Sequence, residues 1–242
     1  MHTNQVRLKC GQRGGSMIRN SHFFRAVTAA AIIAVCLADG EAAQFPDKLG
    51  ARAVWREPAG AGTSNCEGRN NDFHRQLGCV ARIMKSSGAT AEAIEFAQRY
   101  STQSDEICYL SKLQPFGPVS LATLALPFRR NTNAHTDNEY AIVNGAPSFI
   151  RVDDTGAVQS ALADRPVWLR LKREHPDIDV WEGTVFAGGG SRAGGGYRLV
   201  FSYPLGTYHA EAGRWNASIA FDFAADGTFY GRRLLAITGP QK

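Results

Sequence analysis

The strongest constraint on the fold is a change of hydrophobic period just past residue 100. Before it, Phe73, Leu77, Val80 and Met84 recur at i, i+4, i+7 and i+11, one stripe of an amphipathic helix. Asn70 or Asn71 can cap its start through a side-chain oxygen, and Gly88 can take the left-handed conformation beyond its end. Thr90 can cap a second helix running to about Tyr100, with Ile94 and Ala97 inward. From Ile107 onward the period is two. Ile107, Tyr109 and Leu113 predict one strand, and Val119, Leu121 and residues 124–126 another, separated by a turn between Pro115 and Pro118. Residues 140–143, 148–152 and 157–159 predict short strands, punctuated by turn residues at 144–145 and 154–156. A helix returns over 164–174, with Trp168 and Leu171 inward and Pro176 closing it. Four more strands follow, near 178–187, 196–204, 216–224 and 228–237. Strands and helices do not alternate, which excludes a doubly wound parallel sheet. The expected class is α+β: an N-terminal helical hairpin plus an antiparallel β-sheet meander with a helix packed on one face.

The chain begins with the pattern of an export signal. Arg19 and Arg25 supply positive charge, residues 26–37 form an uncharged apolar run, and Gly40 and Ala42 place small residues at both recognition positions of a signal peptidase. The run is too short to cross about 30 Å of hydrocarbon. A cleaved leader over residues 1–42 is expected, with Met17 as an alternative start, and with it a periplasmic or secreted address and no transmembrane segment after processing. Residues 43–65, with Pro46, Gly50, Pro58, Gly60 and Gly62, predict a flexible arm, and 66–242 a single α+β domain.

The leader also alters the charge balance. The whole chain carries 27 Lys+Arg and 22 Asp+Glu. Residues 1–42 hold five of the basic residues (Arg7, Lys9, Arg13, Arg19, Arg25) and two of the acidic (Asp39, Glu41), so the remainder carries a net charge of only +2. That balance predicts no nucleic-acid partner, which would need a concentrated basic face. Cys66, Cys79 and Cys108 remain after processing. In an oxidising compartment they predict one disulfide and one thiol. Three pairings are possible, and proximity in the chain favours Cys66 with Cys79. No Cys-x-x-Cys or His-x-x-x-His spacing supports a metal site, and no cofactor motif occurs.

Leu126-Pro-Phe-Arg-Arg-Asn-Thr-Asn133 followed by Ala141-Ile-Val-Asn-Gly145 resembles a segment that recurs in uncharacterised exported bacterial proteins. Asp72-Phe-His-Arg-Gln-Leu-Gly-Cys79 and Ala220-Phe-Asp-Phe223 share that resemblance. It is scattered over most of the mature chain, implies a bacterial exported setting, and brings no activity with it.

The densest polar stretch is the loop from Arg129 to Glu139. Arg129 and Arg130 could grip an anion, because a planar guanidinium matches a carboxylate or phosphate with two parallel hydrogen bonds. Asn131, Asn133, His135 and Glu139 could orient the bound group. Residues 188–196, Gly-Gly-Gly-Ser-Arg-Ala-Gly-Gly-Gly, lack the Gly-Lys-Ser/Thr ending of a phosphate loop and predict a hairpin tip. The expected role is therefore non-catalytic: binding a small ligand, or a protein partner at the cell envelope. The competing class is a secreted hydrolase built on Ser202, His209 and Asp222, although Ser202 lacks the Gly-x-Ser-x-Gly elbow.

Overall fold

The computed structural model describes residues 48–68, 72–129, 138–207 and 214–239, all within one compact unit. The leader lies outside the described residues.

Two helices come first, α1 (Phe73–Ser86) and α2 (Ala91–Ser104). The cap of α1 is Asp72, whose carboxylate accepts from the Arg75 amide at 3.1 Å. This differs from the expected Asn70 or Asn71, which lie outside the described residues, because a capping oxygen must reach the amide two or three positions on. Leu77, Val80 and Met84 are buried as the stripe requires. Thr90 caps α2 by accepting from the Ala93 amide at 3.1 Å. Its buried side is Ala93, Phe96, Ala97 and Tyr100, while Ile94 is only half-buried. A Cys66–Cys79 disulfide ties a short 3-10 turn, Thr63–Cys66, to α1. Cys108 is left as a buried thiol.

Strands β1 (Tyr109–Phe116), β2 (Val119–Ala125), β3 (Asn138–Val143) and β4 (Phe149–Arg151) form one antiparallel meander. Helices α3 (Thr155–Leu162) and α4 (Pro166–Glu174) follow. A second antiparallel sheet is built from β5 (Asp179–Val180), β6 (Val185–Ser191), β7 (Tyr197–Gly206), β8 (Trp215–Phe223) and β9 (Phe229–Thr238). Its order is β5-β7-β8-β9, with β6 also paired to β7. The class is α+β, resolved into two sheets.

Three local expectations are corrected. Residues 157–159 belong to α3, because Asp154 caps a helix through the Ala157 amide at 3.0 Å and Val158 and Leu162, four apart, are both buried. The strand expected over 178–187 is broken into β5 and β6, with Gly183 at a φ of +103° between them. Part of the expected flexible arm is docked: Leu49, Ala53 and Trp55 are buried. The Leu49 amide donates to Asn144 Oδ1 at 2.6 Å, and the Trp55 amide to the Leu110 carbonyl at 2.9 Å.

The two sheets are buried differently. The first has apolar residues on both faces: Leu121, Ile142 and Ile150 pack with the second sheet, and Ala122, Leu124 and Ala141 pack with Phe96 and Tyr100 of α2. The second sheet alternates. Leu199, Phe201, Tyr203, Phe221 and Phe223 share a core with Val158, Leu162, Trp168 and Leu171 of α3 and α4. Between them in sequence, Arg198, Val200, Ser202, Asn216 and Ser218 are half-buried on the opposite face.

Candidate functional site

The polar loop opens and closes on residues the sheet holds in place. Arg129 follows the end of β2, and Glu139 on β3 stands opposite Leu124. The two meet: Arg129 Nη2 is 2.8 Å from Glu139 Oε1. Arg129 also makes a two-pronged pair with Glu106, Nε to Oε1 at 2.6 Å and Nη2 to Oε2 at 2.9 Å. Glu182 Oε2 lies 3.9 Å from Nη1. The guanidinium is thus enclosed by the protein's own carboxylates, and an added anion would meet negative charge. Burial, then the charge of Glu139, pushes the Glu106 carboxyl above its ordinary range even with Arg129 beside it. Arg130, Asn131, Asn133 and His135 lie outside the described residues.

Glu139 is buried and reaches further. Its second oxygen accepts from Arg151 Nη2 at 3.4 Å. Arg151 ends β4 and has 43% of its side chain exposed. It stands at the edge of a cleft of about 470 Å³ between the end of α2, β4, the start of α3 and β9. The floor is apolar and aromatic: Tyr100, Pro147, Phe149 and Phe229. Tyr100 and Phe149 have ring centroids 5.2 Å apart. A second guanidinium, Arg232, enters from β9, lying 5.0 Å from the Phe221 ring and 5.7 Å from the Phe229 ring. Its Nη2 donates to the Arg151 carbonyl at 3.5 Å, and its Nε is buried with no hydrogen-bond partner among the described residues. Asp154 is the one acidic residue on the lining, and its carboxylate already caps α3. A cleft of this size with an apolar floor and two guanidinium groups suits a ligand with an apolar body and one negative charge.

Three ionisable groups in or near the cleft are shifted by burial. Burial, then Cys108, pushes the Tyr100 hydroxyl well above its usual range, and burial likewise keeps the Cys108 thiol protonated. Asp153 is pushed up to about 6 by burial, against the opposing pull of the Tyr140 amide at 2.7 Å and the Thr184 hydroxyl.

The Ser202, His209 and Asp222 set fares differently. His209 lies outside the described residues. On β7, Ser202 stands opposite Ser218, whereas Asp222 on β8 stands opposite Arg198. Those positions are four residues apart along the ladder, roughly 13 Å at the rise of a strand. Ser202 Oγ has Asn216 Oδ1 at 3.5 Å. Both Asp222 oxygens are taken by Arg198, at 2.6 and 3.0 Å. Burial opposes ionisation of Asp222, but Arg198 with Arg192 and Arg233 prevails and holds its carboxyl below the usual range.

No family model, no curated protein and no solved structure matches this chain. Among the described residues no group of three or more His, Cys, Asp or Glu side chains gathers as metal ligands, and no helix is long and apolar enough to cross a membrane. The cleft residues Tyr100, Phe149, Arg151, Phe229 and Arg232 were not among the sequence candidates. A signal existed: Arg151 and Arg232 interrupt strand segments that are otherwise largely apolar, where a guanidinium is costly unless it has partners or an outlet to solvent.

Proposed function

We propose that this chain is an exported, non-catalytic binding protein whose cleft takes a small amphipathic anion, such as an aryl or acyl carboxylate. The observation that carries this reading is the convergence of Arg151 and Arg232 over an apolar floor of about 470 Å³. The apolar body of the ligand would rest on Phe149, Phe229 and Pro147, and its anionic head would face the two guanidinium groups. Glu139 positions Arg151 from behind and does not itself meet the ligand. The leader pattern and the Cys66–Cys79 disulfide support an oxidising, extracytoplasmic setting. A hydrolase reading has less support, because both oxygens of Asp222 are committed to the Arg198 fork and it could orient a histidine only by giving that up.

Calorimetric titration with 1-naphthoate and octanoate tests this. Binding is expected for both, with the uncharged naphthalene-methanol at least about tenfold weaker, the worth of one charge-assisted hydrogen bond. Arg151→Met is expected to lose about the same factor. Equal binding of charged and uncharged ligands, or no heat at millimolar concentration, overturns the reading.

A further inference from the structure

A second cluster of charge lies away from the cleft, on the face of the second sheet turned from the core. Asp222 projects from β8 and gathers three arginines: Arg198 in a two-pronged pair, Arg192 Nε at 3.7 Å and Arg233 Nε at 3.6 Å. One carboxylate cannot neutralise three guanidinium groups, so the cluster carries an excess of two positive charges. The strands that carry this face supply no second carboxylate; the other acid of the sheet, Asp179 on β5, stands opposite Gly206. Across all residues of β6, β7, β8 and β9, Asp222 is the only acidic side chain. In the turn between β8 and β9, Asp226 is engaged by the Thr228 amide at 2.9 Å.

The surroundings suit an extended ligand. Gly190, Ser191, Arg192, Arg198 and Val200 frame a shallow recess of about 440 Å³ beside the cluster. A side chain at Gly188 or Gly190 would meet open space, so a chain can approach the backbone closely there. Along the same face run Ser202, Asn216 and Ser218, small neutral groups able to hydrogen-bond hydroxyls. Among the described residues the face offers no row of aromatic planes on which nucleobases could stack; Tyr230, 69% exposed, sits on the edge strand β9.

We propose that this face binds an acidic glycan, with its anionic groups between Arg192, Arg198 and Arg233 and its hydroxyls along Ser202, Asn216 and Ser218. The site is separate from the cleft and does not depend on it. Arg198 and Asp222 fix the frame, while Arg192 and Arg233, only partly satisfied by Asp222, meet the ligand.

The experiment is fluorescence anisotropy of a labelled heparin oligosaccharide with the full chain. Binding is expected at low salt and is expected to weaken steeply as ionic strength rises. The double variant R192Q/R233Q leaves the Arg198–Asp222 pair in place, so its melting temperature is expected to match the parent while affinity drops about tenfold or more. R192K/R233K keeps the charge but not the planar fork, and an intermediate affinity is expected. The proposal is overturned if heparin does not bind at low salt, or if the glutamine double variant binds like the parent. It is equally overturned if neutral dextran matches heparin, or if a single-stranded DNA of equal charge competes better.

Discussion

Two clusters of the same side chains sit on the two sheets and do opposite things. Beside the first sheet, Arg129 is surrounded by Glu106, Glu139 and Glu182, so carboxylates outnumber the guanidinium they enclose. On the second sheet, one carboxylate, Asp222, is surrounded by Arg192, Arg198 and Arg233. The first cluster is closed to anions and serves to hold Arg151 at the edge of a cleft. The second leaves positive charge over on an open face. Arginine content alone therefore does not locate an anion site; the local ratio of guanidinium to carboxylate does.

Both central carboxylates are largely buried, Asp222 with 12% of its side chain exposed. Glu139 has 7% of its side chain exposed and satisfies two arginines. Its replacement is expected to be the most damaging single change. Glu139→Gln should cost about 3 kcal/mol in urea unfolding, since removing one partner of a buried pair strands the other. A loss below about 0.5 kcal/mol would mean that Glu106 alone suffices for Arg129, and that the first cluster is no more structural than the second.

Asp153 is the intermediate case, a carboxylate served by an amide and a hydroxyl but by no guanidinium fork. Its folded pKa of about 6 stands above the unfolded value of about 3.9. The native state therefore holds an extra proton between those values. The associated stability is complete below about pH 4 and is lost as pH rises through 6. Asp153→Asn carries no such proton. Relative to the parent it should gain on the order of 2 kcal/mol between pH 4 and 7. A difference that stays flat across that range would show that Asp153 ionises as readily in the folded chain as in the unfolded one.

Asp222→Asn probes the second cluster from its centre. Stability should fall by about 1.5 kcal/mol, because a carboxylate with only 12% of its side chain exposed loses its two-pronged charged pairing with Arg198. Heparin affinity should rise, since the only negative charge in the cluster is gone. A fall in affinity would show that the arginines need Asp222 to hold them in place more than they gain from its removal. The smallest effect is expected at Glu182, 72% exposed and 3.9 Å from Arg129. Glu182→Gln should change stability by less than about 0.5 kcal/mol.

Local pattern foretold most of the elements and little of the site. The stripe from Leu77 to Met84, the cap at Thr90 and the inward Trp168 and Leu171 are repeated in the structure, because each depends on neighbours within a turn or two of helix. Helix α3 escaped notice because only Val158 and Leu162 mark its buried side, too few positions to separate a period of 3.6 from one of two. Arg129 and Glu139 stood out as polar residues bounding a loop, but Glu106, which turns them inward on each other, lies 23 residues before Arg129. Arg151 and Arg232, which edge the cleft together, are 81 residues apart.

The sequence by itself determined most of the helices and strands and that the class is α+β, for hydrophobic period and capping chemistry act over a few residues. Tertiary structure alone decided which carboxylates neutralise which arginines, and so which guanidinium groups remain for a ligand. Those pairings join the end of β2 to β3 and to the segment before β1, β4 to β3, and β7 to β8. They exist only once the sheets have packed, because a charge is neutralised by whatever lies within a few ångströms of it, wherever that stands in the chain.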